Sequence, residues 1–130
     1  MEKYEYKRVV LEDRLIDFGL NIDELTSQFP NSKLGNHLTG QMIRSSTSPA
    51  FNYGEAQSAE SRKDFIHKMK VCLKELRETN ARLKFAKRGK FKVQEKLLNR
   101  LLSEVNELIS IFVKSIETAN RNMASEKRPH

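Results

Sequence analysis

The sequence predicts an all-α protein, an antiparallel up-down four-helix bundle. Four segments carry apolar residues at alternating spacings of three and four, which places those residues along one face of a helix. No segment keeps the period-two alternation of a strand, and no Asn-Gly or Asp-Gly dipeptide marks a hairpin. The predicted bundle covers residues 1–120. Residues 121–130 are polar and without periodicity, so we expect a disordered C-terminal tail.

The first two helices are predicted on either side of Pro30. One apolar face runs from Leu11 to Phe29, and Pro30 ends that helix. The second segment begins near Leu34 and enters a small, hydroxylated stretch, residues 44–65, which contains Pro49. Proline lacks a backbone N–H, so we expect this helix to kink or break at Pro49, with a turn following at residues 54–58. Serine and threonine hydroxyls in this stretch are expected to bond back to nearby carbonyls and to let neighbouring backbones approach closely.

The third and fourth helices have clearer start and stop signals. Ser61, followed three residues later by Asp64, predicts a capping box at the start of the third helix. The apolar spacing then continues through residues 65–86, and Gly89 is predicted as the C′ residue that ends the helix. The fourth helix carries the same spacing over residues 98–116.

Composition weighs against membrane, disulfide-bonded and enzymatic classes. The chain has one cysteine, Cys72, which excludes an internal disulfide and fits a reducing cytoplasm. No apolar run approaches the ~20 residues of a membrane span, and the first residues lack the apolar core of a signal peptide. Asp64 and His67 have the spacing that di-iron bundles use, but the sequence holds no second such motif. We therefore expect a cytoplasmic protein that is not an enzyme and holds no metal or cofactor.

Charge is divided unevenly between the two halves of the chain. Residues 1–60 hold six Lys and Arg against nine Asp and Glu, a net charge of −3, whereas residues 61–130 hold eighteen against eight, a net charge of +10. Such an asymmetry is typical of a protein whose basic half meets an anionic partner, with nucleic acid the first candidate.

The positive charge of the second half forms a stripe along the third helix and past its end. Lys63, Lys70, Arg77 and Lys84 recur every seven residues, about 200° away from the predicted core face. One interpretation is a track for a phosphate backbone, and the other is a solvated face neutralised by the helical pairs Asp64–Lys68, Lys74–Glu78 and Glu78–Arg82. We call the candidate nucleic-acid-binding residues the basic track. They are Lys63, Lys70, Lys74, Arg77, Arg82, Lys84, Lys87, Arg88, Lys90, Lys92, Lys96 and Arg100.

The middle of the chain resembles a known family. The motif QFP at residues 28–30 is followed by LTGQMIRSSTSPAFNYGEAQSAESRKDF at residues 38–65 and by ARLKFAKRG at residues 81–89. Together they resemble the 23S ribosomal RNA intervening-sequence proteins, also called the four-helix bundle protein family. Members are often encoded in insertions within large-subunit ribosomal RNA genes, and a related group assists the reverse transcriptases of diversity-generating retroelements. The chain departs from the family pattern at Ala81 and Arg82, where an aromatic pair is usual, and at Pro49.

The resemblance implies a homo-oligomeric bundle, with pentameric rings as its form, and carries no established activity. It also draws attention to Arg44, Asn52 and Glu55, which we expect on or near the second helix facing the third. These residues form either a buried polar network that fixes the register of the bundle or a binding site. The functional prediction is a non-enzymatic bundle that binds structured RNA or DNA with little sequence preference. The alternative is a protein-interaction scaffold or an accessory subunit of a nucleic-acid enzyme such as a reverse transcriptase.

Overall fold

The computed structural model describes residues 3–126, with side chains from Arg8 onward, and confirms the all-α prediction. Four helices follow one another along the chain: α1 Lys3–Thr26, α2 Lys33–Gln57, α3 Arg62–Arg88 and α4 Glu95–Glu126. Each helix packs against the next, and α1 closes the arrangement by packing against α4, which gives an antiparallel four-helix bundle. Over the described part of the chain, no helix has a stretch long and apolar enough to span a bilayer.

The core lies where the apolar periodicity placed it. Each helix contributes side chains that are less than 2% exposed, such as Phe18 on α1, Met42 on α2, Leu76 on α3 and Phe112 on α4. The ring of Tyr53 meets that of Phe112 edge to face, with 5.9 Å between ring centroids. One continuous apolar core therefore holds all four helices together.

The second helix continues unbroken through Pro49 to Gln57, so of the two expected outcomes, a kink or a break, the break does not occur. The turn begins at Ser58, the last residue of the range predicted for it. Pro49 is buried, and its carbonyl accepts a hydrogen bond from the thiol of Cys72 on α3, at 3.5 Å. Packing of both halves of α2 in the core thus outweighs the local cost of one missing N–H.

The hydroxylated stretch lets the first three helices approach closely. As predicted, its hydroxyls bond back to the preceding turn, for example Thr47 to the Ile43 carbonyl at 2.8 Å. A Cβ at Gly19 of α1 would lie 3.3 Å from the Ser46 carbonyl oxygen, so α1 and α2 nearly touch there. On the other side of α2, the buried Ser45 and Thr79 hydroxyls are 2.7 Å apart. This pair links α2 to α3 inside the core.

Two helix ends differ from the prediction. Helix α1 stops at Thr26 instead of continuing to Phe29, because residues 27–29 form a turn whose N–H groups bond to carbonyls three or four residues back. Helix α4 extends to Glu126, so residues 121–126 are helical and the predicted disordered tail was wrong there. Glu126 accepts a hydrogen bond from Arg62 Nε at 2.9 Å, which fixes this end of α4 to the start of α3. Residues 127–130 lie outside the described residues.

Candidate nucleic-acid interface

Nearly all of the basic track lies on the surface. Eleven of its twelve residues are exposed, and only Arg82 is partly buried. On α3 the exposed cations alternate with buried residues such as Met69, Cys72 and Leu76. The four residues at seven-residue intervals therefore form one row, with neighbours about 10.5 Å apart at 1.5 Å per residue. The row faces solvent, as the helical period predicted.

Most of these cations have no acidic partner. Within residues 8–126, the Arg82 guanidinium is the one member of the basic track that lies within 4.0 Å of a carboxylate, at 3.6 Å from Glu78. Of the three predicted neutralising pairs, Glu78–Arg82 forms, but the other two do not. Lys68 instead contacts Glu55 at 2.8 Å, and Lys74 is left without an ion pair. The positive charge of the surface is therefore largely unneutralised.

The turn between α3 and α4 holds several of these cations in place. Lys90 has φ 55°, and the Phe91 N–H bonds to the Ala86 carbonyl while the Lys90 N–H bonds to that of Lys87. This is a Schellman motif with Lys90 at the left-handed C′ position. Gly89, predicted for that position, is instead the C-cap, with φ −74° in the right-handed region. The helix simply ends one residue later than the glycine suggested.

A second set of contacts ties this turn to the turn between α1 and α2. The rings of Phe29 and Phe91 pack edge to face with 5.0 Å between centroids. Gln28 Oε1 accepts a hydrogen bond from the backbone N–H of Gln94 at 2.6 Å, just before α4 begins. We call these two contacts the loop clasp. It restrains the backbone that carries the cations of the α3–α4 turn, and no sequence pattern predicted it.

The three residues predicted as a buried polar network make separate contacts, so that prediction was wrong. The Arg44 side chain is 57% exposed and bridges to α3, 3.4 Å from Glu75 and 3.7 Å from Glu78. Glu55 is 58% exposed and pairs with Lys68. Asn52 donates to the Ser48 carbonyl and hydroxyl within α2. Arg44 and Glu55 do join α2 to α3, as predicted, but at the surface.

Polar side chains other than those three are buried in the core. Ser45, Ser46 and Thr79 are fully buried, and the Glu75 side chain is only 9% exposed. Thr79 also donates to the Glu75 carbonyl at 3.0 Å, so the Ser45–Thr79 pair continues into the backbone of α3. The signal in the sequence was the position of Thr79 on the apolar stripe of the third helix. A hydroxyl at such a position needs a partner inside the core.

The histidines and the cysteine lie in different environments. His37 and His67 are exposed, and within residues 8–126 no three His, Cys, Asp or Glu side chains are grouped to hold a metal ion. Burial raises the pKa of the Cys72 thiol to about 12. A thiol with such a pKa stays protonated at neutral pH and is a poor nucleophile.

Comparison with known proteins points to one family. The family model described as 23S rRNA-intervening sequence protein matches residues 9–114. The solved structure of a protein of unknown function from the S23 ribosomal protein family of Bacteroides thetaiotaomicron is similar, with a TM-score of 0.75 and 28% sequence identity. That match covers 85% of this chain and 98% of the other. Among curated proteins, none matches.

Proposed function

Since this chain belongs to the 23S rRNA-intervening sequence protein family, we propose that it is a non-enzymatic, nucleic-acid-binding bundle of the cytoplasm. Its ligand is structured RNA or DNA, held through phosphate contacts with little sequence preference. The proposal rests on one observation: eleven exposed members of the basic track have no carboxylate within 4.0 Å in the described part of the chain. Cations on a protein surface that lack acidic partners are free to replace the counterions of a phosphate backbone.

The scarcity of exposed aromatic rings near the track favours a structured ligand over a flexible single strand. Proteins that bind single strands stack bases on exposed aromatic side chains. Phe91 is partly buried and packs on Phe29, and Phe85 alone is largely exposed among the aromatic residues of α3 and the following turn. Phosphate contacts therefore supply most of the affinity.

We also propose that the chain self-associates, in the pentameric rings that the family resemblance implies. Supporting this, large apolar side chains such as Leu20 and Phe51 are 63% and 74% exposed. Apolar groups gathered on one surface commonly mark a protein interface. Assembly would bring several copies of the basic track together and strengthen binding by avidity.

The test of nucleic-acid binding is a titration of a labelled RNA hairpin and a matched DNA duplex at two salt concentrations. The variant Lys63→Glu/Lys70→Glu/Arg77→Glu removes three cations of the α3 row. We expect weaker binding, with the slope of log affinity against log salt reduced by about three. The ratio of RNA to DNA affinity identifies the better ligand.

A matched control separates the track from overall charge. The variant Lys33→Glu/Lys114→Glu/Arg121→Glu replaces three exposed cations elsewhere, and each triple reversal changes the formal net charge by six, from +7 to +1. The control is expected to keep most of the salt slope. Equal loss in both variants, or wild-type protein that fails to bind at low salt, would contradict the phosphate track and leave a protein scaffold as the remaining function.

A further inference from the structure

An apolar groove runs along the outer side of the bundle between α1 and α2. Its volume is about 480 Å³. Gly19 lies at its base, where a Cβ would be 3.3 Å from the Ser46 carbonyl oxygen of α2. The walls are large apolar side chains that face water: Ile16 at 45% exposure, Leu20 at 63%, Ile43 at 37% and Phe51 at 74%.

The groove stands out against the rest of the surface. Across residues 8–126, eight large apolar side chains are exposed, and seven of them belong to α1 or α2. The eighth is Phe85, on α3. Four of the eight, Ile16, Leu20, Ile43 and Phe51, line this one groove, and exposed apolar side chains grouped in this way commonly mark a surface that a partner covers.

The groove has an acidic border. Glu12 and Asp23 line it directly. Neither of these two carboxylates has a Lys or Arg within 4.0 Å among the described side chains. The surface that fits here is therefore positively charged and carries an apolar projection.

Pairing of this face with its own copy is disfavoured. An isologous contact places the same patch on both subunits, so these carboxylates would meet each other. Like charges brought together at an interface repel each other and weaken binding. The apolar walls would gain contact in such a dimer, but the acidic border would oppose it.

The outer surface of α3 has the complementary features. Phe85 is 59% exposed and is close in sequence to Lys84 and Arg88, which are both exposed and without an ion pair among the described residues. An exposed aromatic ring near two cations is complementary in polarity and charge to an apolar groove that is lined by two carboxylates.

We propose that a second copy of this chain docks the C-terminal end of its α3 on the α1–α2 groove, with Phe85 inserted between the apolar walls. Lys84 and Arg88 of the docked copy then face Glu12 and Asp23. This inference builds on the self-association proposed above and names the two surfaces that meet. Each copy carries one groove and one Phe85, so the contact is head-to-tail, and such contacts close into a ring or extend as a filament. The earlier part of α3, with Lys63, Lys70 and Arg77, stays outside the contact.

The test uses two variants, each of which lacks one of the two contact surfaces. The mass in solution is measured by light scattering at low salt in the absence of nucleic acid. Leu20→Lys disables the groove, and Phe85→Glu disables the projection. Each variant alone is expected to be monomeric. An equimolar mixture is expected to form dimers and nothing larger, because only the groove of one variant and the Phe85 of the other are intact.

Leu34→Glu serves as the control, since Leu34 is 45% exposed on α2 but does not line the groove, and it should keep the wild-type mass. Circular dichroism checks that each variant remains folded. Monomeric wild-type protein overturns the inference, and so does a Phe85→Glu variant that keeps the wild-type mass. Failure of the phosphate track would appear separately, as loss of hairpin binding with the mass unchanged.

Discussion

At the scale of single residues, Lys90 occupies a backbone conformation that its side chain disfavours. Its φ of 55° lies in the left-handed region, which costs a non-glycine residue roughly 1–2 kcal/mol. Glycine meets no such penalty but has a more flexible unfolded state, so we expect Lys90→Gly to stabilise the fold by a net of about 1 kcal/mol. Urea unfolding followed by circular dichroism measures the change.

Lys90 also contributes to a dense positive surface, so removing its charge could itself change the stability. A control variant separates this effect from that of the backbone conformation. Lys90→Ala removes the same charge and keeps the left-handed strain. The difference between the two variants isolates the backbone conformation. Equal stabilities for Lys90→Gly and Lys90→Ala would show that repulsion among cations, and not the Schellman turn, limits stability here.

At the scale of helices, the start of α2 depends on a glycine that touches the preceding turn. A Cβ at Gly35 would lie 2.1 Å from the Pro30 carbonyl oxygen, so either the turn or the helix must move to admit one. We expect Gly35→Ala to destabilise the protein by about 1–3 kcal/mol, as overpacking does. Gly40, on the same helix, has open space around its Cβ position. Gly40→Ala should therefore stabilise by about 0.5–1 kcal/mol, and two substitutions of equal sign in thermal unfolding would contradict this account.

The helices also show which structural features a local sequence pattern can predict. The apolar periodicity predicted four helices and their buried faces, because one buried stripe per helix is the main requirement of a bundle. It left open whether α2 breaks at Pro49 and misplaced the ends of α1 and α4, where tertiary contacts decide. Pro49 is accommodated by burial against α3, and the end of α4 is held by Arg62, sixty-four residues earlier in the chain. No local pattern carries that information.

At the scale of the whole molecule, charge is segregated between two sides of the bundle. Eleven cations without acidic neighbours repel one another across α3, the following turn and the start of α4. Added salt screens this repulsion, since the Debye length is about 10 Å at 0.1 M. We expect moderate salt to raise the melting temperature by about 2–4 °C, or ~0.5–1 kcal/mol, at protein concentrations where the chain is monomeric. A melting temperature that falls with salt would show that the seven surface ion pairs outweigh the repulsion.

The same measurement on Lys63→Glu/Lys70→Glu/Arg77→Glu provides the comparison. With the α3 row reversed, the cations no longer repel one another along that helix, and most of the salt response should disappear. The triple reversal at Lys33, Lys114 and Arg121 should retain it, because those residues lie apart from the row.

The sequence predicted which cations of the candidate site are exposed, but not which side chains from other helices lie near them. Seven-residue spacing placed the α3 cations on the outward face, and their exposure follows from the helical period alone. Whether they were neutralised depended on partners from other helices: Lys68 pairs with Glu55 of α2, and Glu78 is approached by Arg44. The apolar groove was likewise hidden in the sequence, because residues such as Leu20 and Phe51 are distant until α1 and α2 pack together.

The loop clasp has a consequence for how tightly a polyanion is held. A connection between two helices is usually the part of a bundle that must lose most freedom when a ligand binds, and ordering one residue costs roughly 1–2 kcal/mol. Here Gln28 and Phe29 already restrain the segment that carries Lys90 and Lys92. Under the proposed function, that entropic cost is met during folding, so the segment would be preorganised for a polyanion. Two uncharged side chains on a different turn would thereby strengthen binding by cations that they do not touch.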